Sequence, residues 1–483
     1  MKVNTISLNS VRLNTIALNH IGEIRSGGGG SKPSPIPQWI REHISFYYDM
    51  SKPMDVYPDD FGKWTKSIDS TFKVTSTNIT ITNLKAEKVS SVYIGKGGNF
   101  KGMKIRVSGL VDGQELYWGY WNNSLLRIPS NGDYTLSPIE QAVDNLGIRS
   151  GNIVGDCNIT IEMLPSGKSV PTNEILKVSG YLQDLSGRKR NMKLNNFLFD
   201  MMSGVDGYKN ESFETVPGNT NIKWKHLSYY SIQGKPTQKA TDFGLYRVKN
   251  NANKFLYLKW NIEGIQEGNK VYLAQYNNES TRIELTNGVS DIALDTTNSD
   301  NPGYGYVVII SDQPYSTDIT ITQIPEYPGA LVTDGVDDYG LVENLSSGVK
   351  MLFMTVNPMA SKRYLYDQRK DTSSPYAFAI VNHEGIIAYN SRNTDGKTYI
   401  DGILNTKLKT EDLLNKKQII TMLNSNVSES VSKQPVFWGS LSKIENMPCA
   451  FYNSIAFDSI PTEADGFTEQ ELIDYVLTNI IGQ

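Results

Sequence analysis

Two stretches of this chain spell one plan twice, and that duplication limits the possible folds more than any other feature. Residues 101–128, KGMKIRVSGLVDGQELYWGYWNNSLLRI, and 254–283, KFLYLKWNIEGIQEGNKVYLAQYNNESTRI, share one layout. Each runs strand, glycine-containing turn, strand, then YWNNS or YNNES and an Arg-Ile pair. The endings correspond as well, GDCNITIEMLP at 155–165 against STDITITQIP at 316–325. Similarity sustained at one offset means two copies of a single unit. The alternation of apolar and polar residues within it is that of half-buried strands. The copies are placed at 59–166 and 212–327, each a β-sandwich module.

The remaining chain supplies a third β-rich body. Segments 178–208 and 329–483 carry a procession of short apolar runs, among them KMLFMTVNP, KQIITMLN and CAFYNSIAFDSIP. Residues 39–58 lead into it. There Trp39, Ile40, His43, Ile44, Tyr47 and Tyr48 fall at helical spacing, which predicts a short helix, with a strand as the alternative over 39–58. At the C-terminus, Thr468 with Glu471 fits a capping box, and Leu472, Val476 and Ile480 form one apolar face of a helix. The chain therefore reads as all-β and multi-domain, with short helices only at its margins. Hydrophobic residues make up 39% and charged ones 20%, enough apolar material for several cores.

The motifs DLSGRKRNMKLNNF (184–197) and DGVDDYG (334–340) resemble those of laminin-G-like, concanavalin-type jelly rolls. Asp184, Ser186, Gly187, Asn191 and Leu194 match the first pattern, and Asp334, Gly335, Asp337, Asp338 and Tyr339 the second. In that family the two motifs lie closer together, so the second module reads as an insertion between them. The assembly also resembles virion proteins of Bacteroides-infecting, crAss-like phages, through LNTIALNHIGEIR, YYDMSKPM (47–54) and DGVDDYG. That resemblance implies a head fibre, capsid decoration or tail fibre, located in the virion and built as an oligomer.

Chemistry is sparse. The four histidines never occur at metal-ligand spacing, and Cys157 and Cys449 lie too far apart for a zinc motif or a disulfide framework. No strand carries the alternating carboxylates that would face one glycosidase cleft. Adjacent Asp337 and Asp338 read first as turn caps, with calcium as the open alternative. GKGG at 95–98 is followed by a strand rather than a helix and reads as a hairpin turn. GRKR at 187–190 reads as a solvated basic loop. No catalytic residue, cofactor or metal is expected, and the chain is read as a non-enzyme.

The aromatic run ELYWGYW (115–121) is more suggestive. Alternation sets Leu116, Trp118 and Tyr120 on one face and Tyr117 and Trp121 on the other. Trp118, Tyr120 and Trp121 are therefore candidates for glycan or subunit contact. In the second copy, Tyr272 is expected where Trp118 sits, and Tyr276 near Trp121 or Asn122.

The N-terminus adds a partner. Asn4, Asn9, Asn14 and Asn19 recur every fifth residue, and Ile6, Leu8, Val11, Leu13, Ile16, Leu18 and Ile21 step with them. A five-residue turn would stack these apolar residues in one line. Residues 1–25 are thus expected to be an anchor ordered by sister chains or another virion protein, joined through a Gly/Pro linker at 26–38. No apolar h-region marks a secretory signal there, and no run reaches membrane-spanning length. A net charge of −4 supplies no broad basic field for nucleic acid. The expected function is a virion structural protein displaying β-sandwiches for adhesion to host surface polysaccharide. The alternatives are a bacterial surface glycan-binding protein and a polysaccharide depolymerase.

Overall fold

A computed structural model of the full chain describes residues 36–481 except 67–70, 85–90, 95–99, 121–122, 141–142, 152, 154, 211–212, 214–224, 229, 236–243, 249–254, 276–277, 296–304, 361–362, 371–380, 384–385, 389–395, 406–412, 424–431, 433, 441–445 and 461–467. The pentad anchor at 1–25 and most of the linker lie outside the described residues. The molecule is all-β and multi-domain: its described strands form antiparallel sheets, and helices are few and short.

In the first module, one five-stranded sheet runs in the order Gly132–Leu136, Met103–Ser108, Gly155–Leu164, Asn78–Leu84, Thr71–Val74. The facing sheet runs Thr65–Lys66, Ser91–Tyr93, Leu146–Ser150, Leu116–Tyr120, Asn123–Ile128. The second module repeats this order, except that among the described residues its second sheet has four strands and no counterpart of Thr65–Lys66. Its first sheet is Gly288–Asp295, Phe255–Glu263, Ile319–Gln323, Ser231–Gly234, Lys225–Ser228, and its other is Gly244–Val248, Gly305–Ser311, Val271–Gln275, Asn278–Leu285. Strands such as Met103–Ser108 alternate buried and exposed residues, so each sheet lends one apolar face to a core of its own.

Small devices recur in both copies. A Cβ on Gly109 would stand 1.9 Å from the Asn158 carbonyl oxygen, and one on Gly264 would stand 2.1 Å from that of Asp318. Both glycines also have positive φ, +87° and +92°, so only glycine suits the strand crossing there. Asn131 clasps the backbone of Leu110, with its Oδ1 accepting at 2.8 Å and its Nδ2 donating at 2.9 Å. Asn287 holds Ile265 in the same manner at 2.9 and 2.7 Å.

The third body, here termed the carrier, packs an eight-stranded sheet on a five-stranded one. The larger sheet centres on Cys449–Phe457, which pairs with Met351–Pro358 on one side and with both Ile44–Asp49 and Leu331–Thr333 on the other. The smaller sheet runs Tyr181–Leu182, Met192–Asn195, Tyr339–Val342, Val436–Phe437, Tyr366–Asp367. Leu352, Met354, Val356 and Phe451 from the first meet Met192, Val342, Tyr366 and Phe437 from the second in the main core.

Each module leaves the carrier through a paired ribbon. Met54–Val56 and Gly167–Ser169 pair with each other on either side of the first module. Gly204–Val205 pairs with Leu331–Thr333 on either side of the second. The roots are tied by tyrosines: Tyr181 Oη donates to Tyr57 Oη at 3.0 Å at the first, while Tyr208 stacks on Tyr230 at the second, ring centroids 3.5 Å apart. At the second root, Tyr230 Oη also donates to Asp200, and Lys209 pairs with Glu326 at 3.3 Å.

The helical reading of residues 39–48 is corrected. Only Gln38–Arg41 is α-helical, and Ile44–Asp49 is a strand buried along its whole length. A strand covered on both faces loses its two-residue alternation, so its apolar residues can mimic helical spacing. The C-terminal capping box is present, with helix Glu469–Val476 passing into a π-helical turn at Leu477–Ile481.

Candidate functional site

Within the aromatic run, the face that carries Trp118 is core and not a binding face. Trp118 is 1% exposed and packs between Phe100 and Trp64, with ring centroids 4.8 and 6.0 Å away. It is a core residue, and no ligand reaches it without opening the sandwich. Tyr120 is half-buried against the same core, its hydroxyl accepting from Asn123 Nδ2 at 2.9 Å. Trp121 and Tyr276 lie outside the described residues.

The correspondence between the copies is corrected by one residue. Leu116 pairs with Ile128 and Ser150, and Val271 pairs with Leu285 and Ser311, so Leu116 and Val271 are equivalent. Leu273, not Tyr272, therefore occupies the place of Trp118. A one-residue slip moves a side chain to the opposite face of a strand, and half-buried Tyr272 lies on the outer face, under the Arg282 guanidinium at 5.6 Å from its ring centroid.

The two acidic motifs build turns. Asp184 is 6% exposed; its Oδ1 accepts from the Tyr47 and Ser186 amides, and its Oδ2 from the Ser186 hydroxyl and the Arg190 amide, all within 3.0 Å. Arg190 departs from the solvated-loop reading. Its guanidinium turns inward to the Ser45 carbonyl and hydroxyl, at 3.0 and 2.8 Å, and to Ser346 at 2.8 Å.

In the second motif, Asp334, Asp337 and Asp338 bring three carboxylates within 4.8 Å of one another. Such oxygens suit a hard cation in kind. Two of the three, Asp334 and Asp338, already accept hydrogen bonds from the protein. Asp338 is fully buried and accepts from the Ser203 hydroxyl and the Asp334 amide, each at 3.0 Å. Asp334 Oδ1 takes the Val336 amide at 2.8 Å. Burial pushes the Asp338 carboxyl up to about 7.

A cleft the sequence did not reveal lies on the outer face of the carrier's large sheet. Its volume is about 460 Å³. Its floor follows one row across four strands: Asp49 pairs with Asn453, Asn453 with Thr355, and Thr355 with Ile419. Asp401, on the next loop, receives the Ile419 amide on Oδ1 at 2.8 Å. Lys417 holds its ammonium 3.9 Å from the ring centre of Tyr452, and both line the rim. Asn453 donates from Nδ2 to the Ile481 carbonyl at 3.2 Å, where the C-terminal helix ends.

Two buried acceptors in this floor, Asn453 Oδ1 and Thr355 Oγ1, have no hydrogen-bond partner among the described residues. Buried polar atoms are ordinarily satisfied, and these two present almost no surface to the cleft, so they shape its floor rather than contact a ligand. Asp49 is more fully engaged, taking the Ser51 amide and hydroxyl on Oδ1 and the Tyr47 hydroxyl on Oδ2. One signal was present in the sequence. Along MLFMTVNP the outward positions change from Met351 and Phe353 to Thr355 and Asn357, and along CAFYNSIAF from Phe457 and Ile455 to Asn453. An outer face that turns polar halfway marks where cover ends.

No protein-family model matches this chain, and no curated protein sequence matches it. Among solved structures it is similar, at 10% identity and a TM-score of 0.13, to a chain of the triple jelly roll fold and turret assembly in an archaeal virus. The match covers 89% of this chain and 99% of that one, and with such a score it carries no argument here.

Proposed function

We propose that this chain is a non-enzymatic structural subunit of a virion, a head fibre, capsid decoration or tail fibre, anchored through residues 1–25 and adhering to neutral glycan on the host surface. The observation that carries the reading is the build of the carrier. One sandwich holds two copies of a second sandwich on paired ribbons and keeps a polar, tyrosine-rimmed cleft on its own sheet. Tyrosine rings pack on sugar rings while carboxylates accept their hydroxyls. The anchor and the location in a particle rest on the pentad repeat and on the resemblance to crAss-like phage virion proteins. The carrier corresponds to the laminin-G-like body of that resemblance.

The test has two arms. Mass spectrometry and cryo-microscopy of purified particles should find the full chain in the virion, and its absence there would overturn the structural role. A glycan array should give hits that Tyr452→Ala and Lys417→Ala both weaken, and an array without hits would remove adhesion.

One observation favours a polysaccharide depolymerase as the second reading: Asp49 and Asp401 line the same cleft. The hydrogen bonds on Asp49 and the backbone contact on Asp401 fit a positioning role better than proton transfer. Release of reducing ends by the purified chain, lost in Asp401→Asn, would reverse this ranking.

A further inference from the structure

A second cleft, of about 390 Å³, adjoins the first, and Ser51 and Gly329 line both. Its walls come from the two roots. Val170 and Glu174 belong to the segment that returns from the first module. Asp206 and Tyr208 precede the second module, and Ser228 and Tyr230 are its first residues along this wall. Without the insertions, the carrier sheet would offer only the first cleft.

The two clefts share a chemistry. Each carries aromatic surface, Tyr452 in one and the stacked Tyr208 and Tyr230 in the other. Each carries carboxylates, Asp49 and Asp401 in the first, Glu174 and Asp206 in the second. Lys417 is the cation among the lining residues, and it lies over Tyr452. A uronic or sulfated chain would meet like charge from the carboxylates of both clefts, with Lys417 the one opposing charge among the lining residues. A neutral sugar chain would find carboxylate acceptors in both clefts and the partly exposed surface of one tyrosine in each, Tyr452 and Tyr208, the buried Tyr230 only backing the latter; each cleft alone has the volume of a small-ligand pocket.

Resting on the adhesive reading above, we infer that the two clefts form one trough for a neutral oligosaccharide. Its far half is built by the roots of the inserted modules, so the insertions set the length of chain that is recognised. The ligand makes no covalent step; it lies across the Ser51–Gly329 junction and touches tyrosine at both ends.

The experiment is calorimetric titration of the full chain with disaccharides and hexasaccharides of α-1,4-glucan, β-1,3-glucan and α-mannan, with oligogalacturonate as the acidic probe. The hexasaccharide of at least one neutral series should bind about tenfold or more tighter than its disaccharide, a gain on the scale of one extra subsite. Oligogalacturonate should not bind. In Val170→Trp and in Ser228→Trp, both filling the far cleft from partly exposed positions, the ratio of hexasaccharide to disaccharide affinity should fall to near one. Unfolding midpoints will show that both variants are folded. A ratio that survives in both overturns the trough and leaves the first cleft as the adhesive site. Binding of oligogalacturonate in preference to neutral chains overturns the ligand class. If no neutral sugar of either length binds, the adhesive reading itself falls, and the trough with it.

Discussion

The two inserted modules have one topology and two solutions to filling it. In the first, the bulk comes from Trp118 on the Leu116–Tyr120 strand, with Ile105 on the facing sheet. In the second, Leu273 stands in the Trp118 place, and Trp260 stands where Ile105 would be. The indole has crossed the sandwich, and Phe213 packs on it with ring centroids 5.8 Å apart. What stayed fixed is backbone chemistry: the crossing glycines and the asparagine clasps. Volume in a sandwich core is shared between its sheets, whereas a close backbone approach has no substitute.

That comparison can be broken most forcefully at the indoles. Trp118→Ala and Trp260→Ala should each cost about 3–5 kcal/mol of stability in their own module. Limited proteolysis should show cleavage confined to that module, and cleavage spreading to both would contradict their independence. Converting the first copy to the second's arrangement, Ile105→Trp with Trp118→Leu, should be more stable to denaturant than Trp118→Leu alone. A double variant no better than the single one would mean that the exchange is not a volume trade.

Gly109→Ala and Gly264→Ala come next, at about 3 kcal/mol each, because the added methyl would meet a carbonyl oxygen and the φ is left-handed. Equal losses in the two copies would confirm shared backbone logic; tolerance in either would refute it.

The roots differ too, since only the second adjoins the Ser203 loop that Asp338 holds. The folded-state pKa of Asp338 is raised, so its contribution to stability is fully present below its unfolded value and is lost as pH rises through about 7. Lowering the pH from 7.5 to 5 should therefore stabilise the carrier by about 2 kcal/mol. In Asp338→Asn that part of the pH dependence should vanish, and chemical denaturation at the two pH values measures it.

Smaller still, Asn131→Ala and Asn287→Ala should each cost about 1 kcal/mol as two backbone hydrogen bonds are lost. The smallest effect belongs to a reversed pair. Glu115 binds Arg127 in the first copy, and at the equivalent positions Lys270 binds Glu284 at 3.0 Å. Exchanging the charges in the second copy, Lys270→Glu with Glu284→Lys, should leave the unfolding midpoint where it was, since both partners are about half exposed and exposed pairs contribute little.

The duplication was legible because strand alternation and glycine turns repeat in order along the chain. Its register was not. The Arg-Ile pairs at 127–128 and 282–283 look equivalent, yet Ile128 lies opposite Leu116 while Ile283 lies opposite Leu273. The strand Asn278–Leu285 is longer than Asn123–Ile128, and both hairpins shift register partway along, so letters align where strands do not. The cleft was hidden for another reason. Asp49, Asn453, Thr355 and Ile419 are neighbours only across hydrogen-bonded strands, and no local spacing announces such a row.

The paired ribbons bring one more thing into view. Each inserted module starts and finishes on adjacent strands, so its two ends are separated by about 5 Å, one strand spacing. A cassette with ends that close can be exchanged for another of the same footprint without moving the chassis that holds it. The carrier is in this respect a socket with two positions, and graft and host can vary at different rates.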